Sequence, residues 1–456
     1  MEKHVSMNGK KILMVGFGGI GPAVLPLVLR HIDIKPEQIN IISAENRNQN
    51  LAEREGVRFE QLTLDEHNYK DILTQRLEKG DVLLNLAVDV NSLDLIQLCQ
   101  KLGVVYVDTS IERWKSQKHI PAMLYERREL VMKHQDQFKD GPTALLCHGA
   151  NPGFVSHLAK QAVLDIARKE KGADFPVPTT REAWAALAKE LQVVAMHVAE
   201  RDTQLTSKPR GADEYVNTWS VDGFLEEASE FTGFSWGTHE VDLPEHLVRM
   251  REDTDRCRAI ELSKMGGGIE VKSWVPSGVY NGYVIPHTEA FSLAEYFNCK
   301  DDGNFYHPTV HYVYRPCDEA AKSMLDALDK NVIYPEHKRL LLDDVTEGMD
   351  ELGILILRAN NPEVYWLGSR LGVDEARSLV KNNNATSLQV AIGVLSGLIL
   401  AIANPMEGLV EAEGLDFKRA IEIAKPYLGD FRGHFATWPE AEAPAWTFAE
   451  LAVSLD

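Results

Sequence analysis

The stretch Gly16-Phe17-Gly18-Gly19-Ile20-Gly21 constrains the fold more than any other part of the chain. Its G-x-G-x-x-G spacing is a weak signal alone. Here it follows an apolar run, Lys11–Gly16, and opens a helically patterned segment, Gly21–His31. In that setting the first glycine permits a tight turn and the second lets backbone approach a pyrophosphate. The third allows close helix–strand packing. The helix N-terminus then faces the anion, and Pro22 falls in the first turn, where a missing N–H costs nothing. Gly16, Gly18, Gly19, Ile20 and Gly21 are therefore candidate dinucleotide contacts; the competing reading is a glycine turn that only packs.

Short apolar runs recur at Asn40–Ser43, Asp81–Val88, Val104–Asp108 and Thr143–Cys147. Runs that are apolar throughout and bounded by Gly, Asp or Asn suit parallel strands buried on both faces. Helical patterns lie between them at His67–Lys79, Ser92–Leu102 and Pro121–Phe138. This alternation predicts an α/β fold: an N-terminal Rossmann domain over 1–150, with a doubly wound parallel sheet. Glu45 lies 24 residues past Gly21, where an acid grips the ribose hydroxyls of NAD. Arg47 would instead welcome the phosphate of NADP; the acid favours NAD. Ala87 and Val88, and Asp108 and Thr109, close the later strands, where such sheets place ligand-binding loops.

The pattern changes after Gly149-Ala150-Asn151-Pro152-Gly153. A helix over Phe154–Lys169 leads to longer strand-like runs at Leu191–Ala199, Gly267–Val275, Val279–Ile285 and Thr309–Tyr314. These predict a second, mixed α+β substrate domain over 151–375. From Ala376 the pattern returns to helices, giving a C-terminal helical segment, 376–456, packed on the core or on a partner subunit. Asn382–Met406 carries no charge, but its apolar part, Leu388–Ala403, has 16 residues where a membrane span needs about 20. A buried helix or a subunit interface is expected there.

Lys and Arg number 48 against 68 Asp and Glu, a formal charge of −20. Such a surface repels nucleic acid and anionic lipid and favours cationic small molecules. The 5 cysteines never form C-x-x-C, which argues against a disulfide framework and a thiolate zinc site, and no metal is expected. The polar start, Met1 to Lys11, lacks the apolar core of a signal peptide, so a cytoplasmic location is expected.

VGFGGIG, YVDTSIERW, GANPGFVSH, NTWS-VDGFLEEASE and IPHTEAFS, in that order, make the chain resemble the bacterial homospermidine synthases. These are relatives of the saccharopine-dehydrogenase-like reductases, and the likeness covers most of the chain. It implies NAD-dependent transfer of an aminobutyl group from putrescine or spermidine to a second putrescine. Oxidation to an imine, ammonia release, imine exchange and re-reduction would recycle the NAD, in a homodimer whose second domain also dimerises.

Putrescine is a dication at neutral pH, its amines titrating near the ~10.4 of lysine. Removing hydride beside nitrogen requires a neutral amine and leaves an iminium cation. The site therefore needs carboxylates, an aromatic face and a proton acceptor. The resemblance assigns Trp219 to the cation, whose attraction to an indole face is worth about 0.5–2 kcal/mol. It assigns Glu227 as an ammonium anchor; if 222–231 is helical, its spacing from Trp219 keeps both near one face, with Glu226 and Glu230 as alternatives. Glu200 and Glu112 are further anchors. His287 is the candidate for proton transfer, oriented by Glu289. Asn151, with Pro152, is expected at the nicotinamide or the reacting nitrogen, unless that turn is a plain hinge. Two rival readings stand beside this one. A saccharopine- or carboxyspermidine-type reductase would recruit Arg201, Arg210 or Arg249 for a substrate carboxylate. A non-catalytic NAD sensor would bind the dinucleotide without amine chemistry.

Overall fold

The computed structural model describes residues 3–117, 123–301, 304–332, 334–439 and 443–455. Among these residues seven parallel strands form the first sheet, in the order Leu409–Glu411, Ala144–Leu146, Val105–Asp108, Val82–Asn85, Ile12–Val15, Ile39–Ser43, Arg58–Gln61. Ile12–Val15, Val82–Asn85 and Val105–Asp108 are buried throughout, because helices cover both faces; this is why they read as unbroken apolar runs. The chain starts in the middle, moves outward to Arg58–Gln61, then returns to build the other side from Val82. The strands on either side of that reversal send their following loops apart and leave a crevice at their C-terminal ends.

The helices Gly21–His31 and Ser92–Leu102 have the expected bounds. The expected helix over 121–138 is two helices, Leu124–Met132 and Gln135–Phe138, and its first two residues lie outside the described ones. The edge strand Arg58–Gln61 had no apolar signature, since it is half exposed.

Among the described residues the second sheet has ten strands and is mixed. Thr309–Arg315 runs parallel to Val193–Asp202, and Met349–Arg358 pairs antiparallel with the latter's other side. Side chains alternate across a strand, so Val198, Glu200 and Asp202 share one face. The register sets Tyr314 opposite Glu200 on one side, and Leu352 and Asp350 opposite Glu200 and Asp202 on the other.

The C-terminal part corrects the expectation of helices alone. Leu409–Glu411 completes the edge of the first sheet and Asp430–Thr437 the edge of the second. The apolar stretch belongs to the helix Ala385–Ala403, capped by Asn384, whose side chain accepts from the Ser387 N–H. This helix is long and apolar enough to cross a membrane, but 89% of its apolar window is buried inside the chain. It packs on Gly21–His31, on Phe417–Ala424 and on strands of both sheets. Burial of each large aliphatic side chain there contributes about 1.5–3 kcal/mol. Its small residues serve internal contact: a Cβ at Gly393 would stand 2.3 Å from the Gly149 carbonyl oxygen, and one at Gly397 2.4 Å from the His148 ring. Of the two expectations for this stretch, a buried helix or a subunit interface, the structure shows the buried helix.

Candidate active site

The crevice of the first sheet is a cleft of about 620 Å³, walled by Gly16 to Gly19, Glu45, Ala87, Val88 and, from the second half of the chain, Trp219 and Lys338. Gly16 has φ +92°, and a Cβ there would meet the Leu86 carbonyl at 2.7 Å, so the turn needs glycine twice over. Nothing lies within 4 Å of a Cβ position at Gly18, which leaves its backbone open to the cleft. Gly21 faces Phe17 and serves packing. The helix beginning at Gly21 has no side-chain cap, so no side chain competes with an anion for the positive end of its dipole. Asn48 straps the loop from outside, its Nδ2 donating to the carbonyls of Phe17 (3.0 Å) and Gly18 (2.7 Å). The open glycine, the uncapped helix end and the carboxylate of Glu45 fit a dinucleotide.

An inner cavity of about 130 Å³ continues from the cleft past Gly19, Ala87, Val88 and Trp219. Ile20, Thr109, Glu112, Asn151, Pro152, Glu200, Glu227 and His287 line it, so residues spread over most of the sequence meet there. Two expected contacts do not. Asp108 lines neither cavity: it is buried below the wall, accepting from the Tyr106 hydroxyl at 2.8 Å and the Cys147 N–H at 2.6 Å. Burial pushes its carboxyl up to about 7. It ties the strand Val105–Asp108 to the segment leading into the Asn151-Pro152 turn, whose peptide bond is cis. Glu289 is also behind the wall, touching His287 rather than the cavity.

Ser220 caps the helix Val221–Ser229 by accepting from the Gly223 N–H. Trp219 is therefore held at the point where the helix starts, and its carbonyl oxygen lies 3.4 Å from a Cβ position at Gly19. Glu227, in the last turn of that helix, reaches the same cavity. Glu226 and Glu230 instead line a side cavity of about 60 Å³, where Glu230 pairs with Arg127.

His287 sits between the strand Gly278–Ile285 and the helix Glu289–Phe297. Its Nε2 faces Glu227 Oε2 at 3.1 Å and its Nδ1 faces Glu289 Oε1 at 3.2 Å. Burial alone would lower its pKa, but the two carboxylates outweigh that and hold it well above 6.5. The ring packs against Tyr312 at a tilt of 32°, centroids 4.4 Å apart.

Glu200 is buried and accepts from the Tyr312 hydroxyl at 2.6 Å and from Asn151 Nδ2 at 3.3 Å. Burial pushes its carboxyl up to about 7, against these hydrogen bonds and with the repulsion of Asp202. Asp202 and Asp350 stand beside it on the sheet, bridged by the Thr386 hydroxyl at 3.4 and 2.7 Å. Glu112 accepts from Ser110 Oγ at 3.0 Å and from the Asp89 N–H at 3.3 Å, which fixes it at the opposite wall.

Among the described residues no arginine or lysine lines the inner cavity. Arg201 donates to Ser277, Arg210 pairs with Asp326, and Arg249 pairs with Glu261. Sequence reading missed Tyr312, Asn48 and Lys338. The alternation of Tyr312 and Tyr314 in an apolar run marked a strand facing something polar, but only register shows what. Asn48 and Lys338 had no sequence signal.

Comparison with known proteins follows the same outline. Residues 12–145 match the saccharopine dehydrogenase NADP binding domain, and residues 149–436 the saccharopine dehydrogenase C-terminal domain. The chain is 36% identical to the homospermidine synthase of Mesorhizobium japonicum, over 96% of this chain and 93% of that one. It is 37% identical to that of Blastochloris viridis, over 94% and 91%. The crystal structure of the Legionella pneumophila homospermidine synthase in complex with NAD superposes with a TM-score of 0.91 at 35% identity, covering 100% of this chain and 99% of the other.

Proposed function

The chain belongs to the homospermidine synthase family, and from that premise we propose that it transfers an aminobutyl group from putrescine or spermidine to a second putrescine, using NAD. The observation that carries this reading is the inner cavity: Glu112, Glu200 and Glu227, with Trp219, and, among the described residues, no basic side chain except a histidine held between two carboxylates. A substrate carboxylate would be repelled there, which disfavours a saccharopine-type reductase; a polyamine cation is welcomed. The crystal structure with NAD supports NAD as the dinucleotide, as does Glu45 in the cleft.

Bound in the cleft, NAD would accept hydride from the carbon beside nitrogen and later return it. Gly16 to Gly19, the helix end and Glu45 would hold it, with Ala87, Val88 and Thr109 along its path inward. The remaining work falls to side chains of the chain. Glu227 and Glu112 hold ammonium groups at opposite walls, and the Trp219 face stabilises the iminium. Glu200 is the proton acceptor, since a carboxylate titrating near neutrality can take a proton from an ammonium and give it back. Tyr312 and Asn151 aim its Oε2. His287, charged between Glu227 and Glu289, gives a proton to the departing nitrogen rather than taking one, so that ammonia leaves and the second amine stays. The small, enclosed cavity keeps water from the imine.

Incubation with putrescine and NAD⁺ tests this directly. Homospermidine and ammonia should accumulate without stoichiometric NADH. Stoichiometric NADH would mark a dehydrogenase, and dinucleotide binding without amine turnover would mark a sensor.

A further inference from the structure

Two helices begin beside the inner cavity, and a buried carboxyl outside it holds both. Asn151 precedes the helix Phe154–Lys171, in which Ser156 lies 5 residues after it. His287 precedes the helix Glu289–Phe297, in which Ser292 again lies 5 residues after it. The two serine hydroxyls donate to the same atom, Oε1 of Glu413, at 2.8 and 2.7 Å. Glu413 itself lines neither the cleft nor the inner cavity.

Glu413 belongs to the turn Ala412–Gly414, directly after Leu409–Glu411, the strand that closes the edge of the first sheet. That turn is pinned. Lys160, one helical turn beyond Ser156, donates from Nζ to the carbonyls of Glu413 at 2.9 Å and Leu415 at 3.3 Å. The rings of Trp184, Tyr296 and Phe417 lie around the ammonium, with centroids at 5.7, 5.3 and 5.3 Å. A carboxyl only 4% exposed is costly unless donors meet it, and among the described residues its side-chain donors are these two hydroxyls. Each helix start therefore has one setting in which its serine reaches Oε1. The same settings leave Asn151 Nδ2 3.3 Å from Glu200 and His287 Nε2 3.1 Å from Glu227, contacts that a shift of about 1 Å would break.

We propose that Glu413 is a positioning residue for the reaction: by holding Ser156 and Ser292 on one oxygen it sets the two helices against each other, and with them Asn151 on Glu200 and His287 on Glu227. This rests on the polyamine reading of the inner cavity and adds to it a residue from outside the cavity.

In the full chain at saturating NAD⁺, Glu413→Ala should lower kcat for putrescine by about 10²-fold, the cost of a misplacement near 1 Å. NADH affinity, read by fluorescence titration, should be unchanged. Double-mutant cycles separate positioning from plain destabilisation. Added to His287→Gln or to Asn151→Ala, Glu413→Ala should cost less than it does in wild type, because a group it positions is already gone. If the alanine variant does not fold, the serines carry the same test, Ser156→Ala coupling to Asn151→Ala and Ser292→Ala to His287→Gln. Costs that multiply independently in these cycles, an undiminished kcat in Glu413→Ala, or a fall in kcat matched by NADH affinity overturns the proposal. Failure of wild type to form homospermidine would instead overturn the reading of the cavity. A crystal structure of Glu413→Ala, or of the double serine variant, then decides the positioning alone, by whether Asn151 leaves Glu200 and His287 leaves Glu227.

Discussion

His287 Nε2 lies 3.1 Å from Glu227 Oε2, on a helix 60 residues earlier in the chain, while Glu289, 2 residues on, closes the other side at 3.2 Å. The imidazole is therefore a clamped cation. The folded chain keeps a proton that the unfolded chain releases above about 6.5, so the stabilisation is complete below that value and is lost as pH rises through the higher folded value. Thermal unfolding of wild type and His287→Gln from about pH 6 to about pH 9 should show a difference that shrinks with rising pH. A difference independent of pH would contradict the ion pairs.

In the proposed mechanism Glu200 takes the other proton. Its carboxyl, pushed up to about 7 by burial, must be ionised to accept a proton from the amine, so kcat/KM should rise as pH passes through about 7. Glu200→Gln should flatten that rise and lower turnover by roughly 10²–10⁴-fold, the range for loss of a general base. A pH–rate profile that keeps its rise in this variant would move the role elsewhere.

Trp219 lines both the cleft and the inner cavity. Trp219→Ala should lower kcat/KM for putrescine by about 3- to 30-fold, the loss expected of a cation–π contact, and Trp219→Phe by less. Steady-state kinetics at saturating NAD⁺ separate this from any change in dinucleotide affinity. Equal activity in the alanine variant would remove the cation role.

Asn48 holds the glycine loop through two carbonyls. Asn48→Ala should weaken NADH binding by roughly tenfold, as expected when two hydrogen bonds that shape a site are lost. Fluorescence titration measures it, and KM for putrescine at saturating NAD⁺ should hold steady. A matching rise in both would point to general loosening.

Gly393 touches the segment that carries Asn151. Gly393→Ala would drive a methyl group to 2.3 Å from the Gly149 carbonyl oxygen, where only backbone can yield. It should cost about 1–3 kcal/mol in denaturant unfolding and displace Asn151 from Glu200, lowering kcat as well. An unaltered unfolding midpoint would show that the helix can shift freely.

The first sheet was legible because its physics is local. Ile12–Val15 and Val82–Asn85 are covered on both faces, so their side chains are apolar apart from the closing Asn85, and Gly16 is dictated by its own backbone angle. Arg58–Gln61 escaped because an edge strand lacks that signature. Leu409–Glu411 escaped because three residues become a strand only when Ala144–Leu146 offers an edge to pair with. The motif residues of the site were found by resemblance, and their convergence on one cavity supports reading them together. Their division of labour was not legible: the sequence made Glu200 an ammonium anchor and His287 the proton carrier, and the burial of Glu200 and the two carboxylates around His287, on which the proposed roles rest, have no local signal.

By itself the sequence determined the parallel sheet, the glycine turn and the acidic character that favours a cation, since each follows from neighbouring residues or from composition. Tertiary structure alone decided that His287 is held between two carboxylates, that Glu200 is buried beside Asp202 and Asp350, that Asp108 supports the wall rather than forming it, and that Ser156 and Ser292 meet on Glu413. The reason is physical: a pKa and a charge balance depend on desolvation and on partners within a few ångströms. Sheet register and packing bring those partners together from far along the chain.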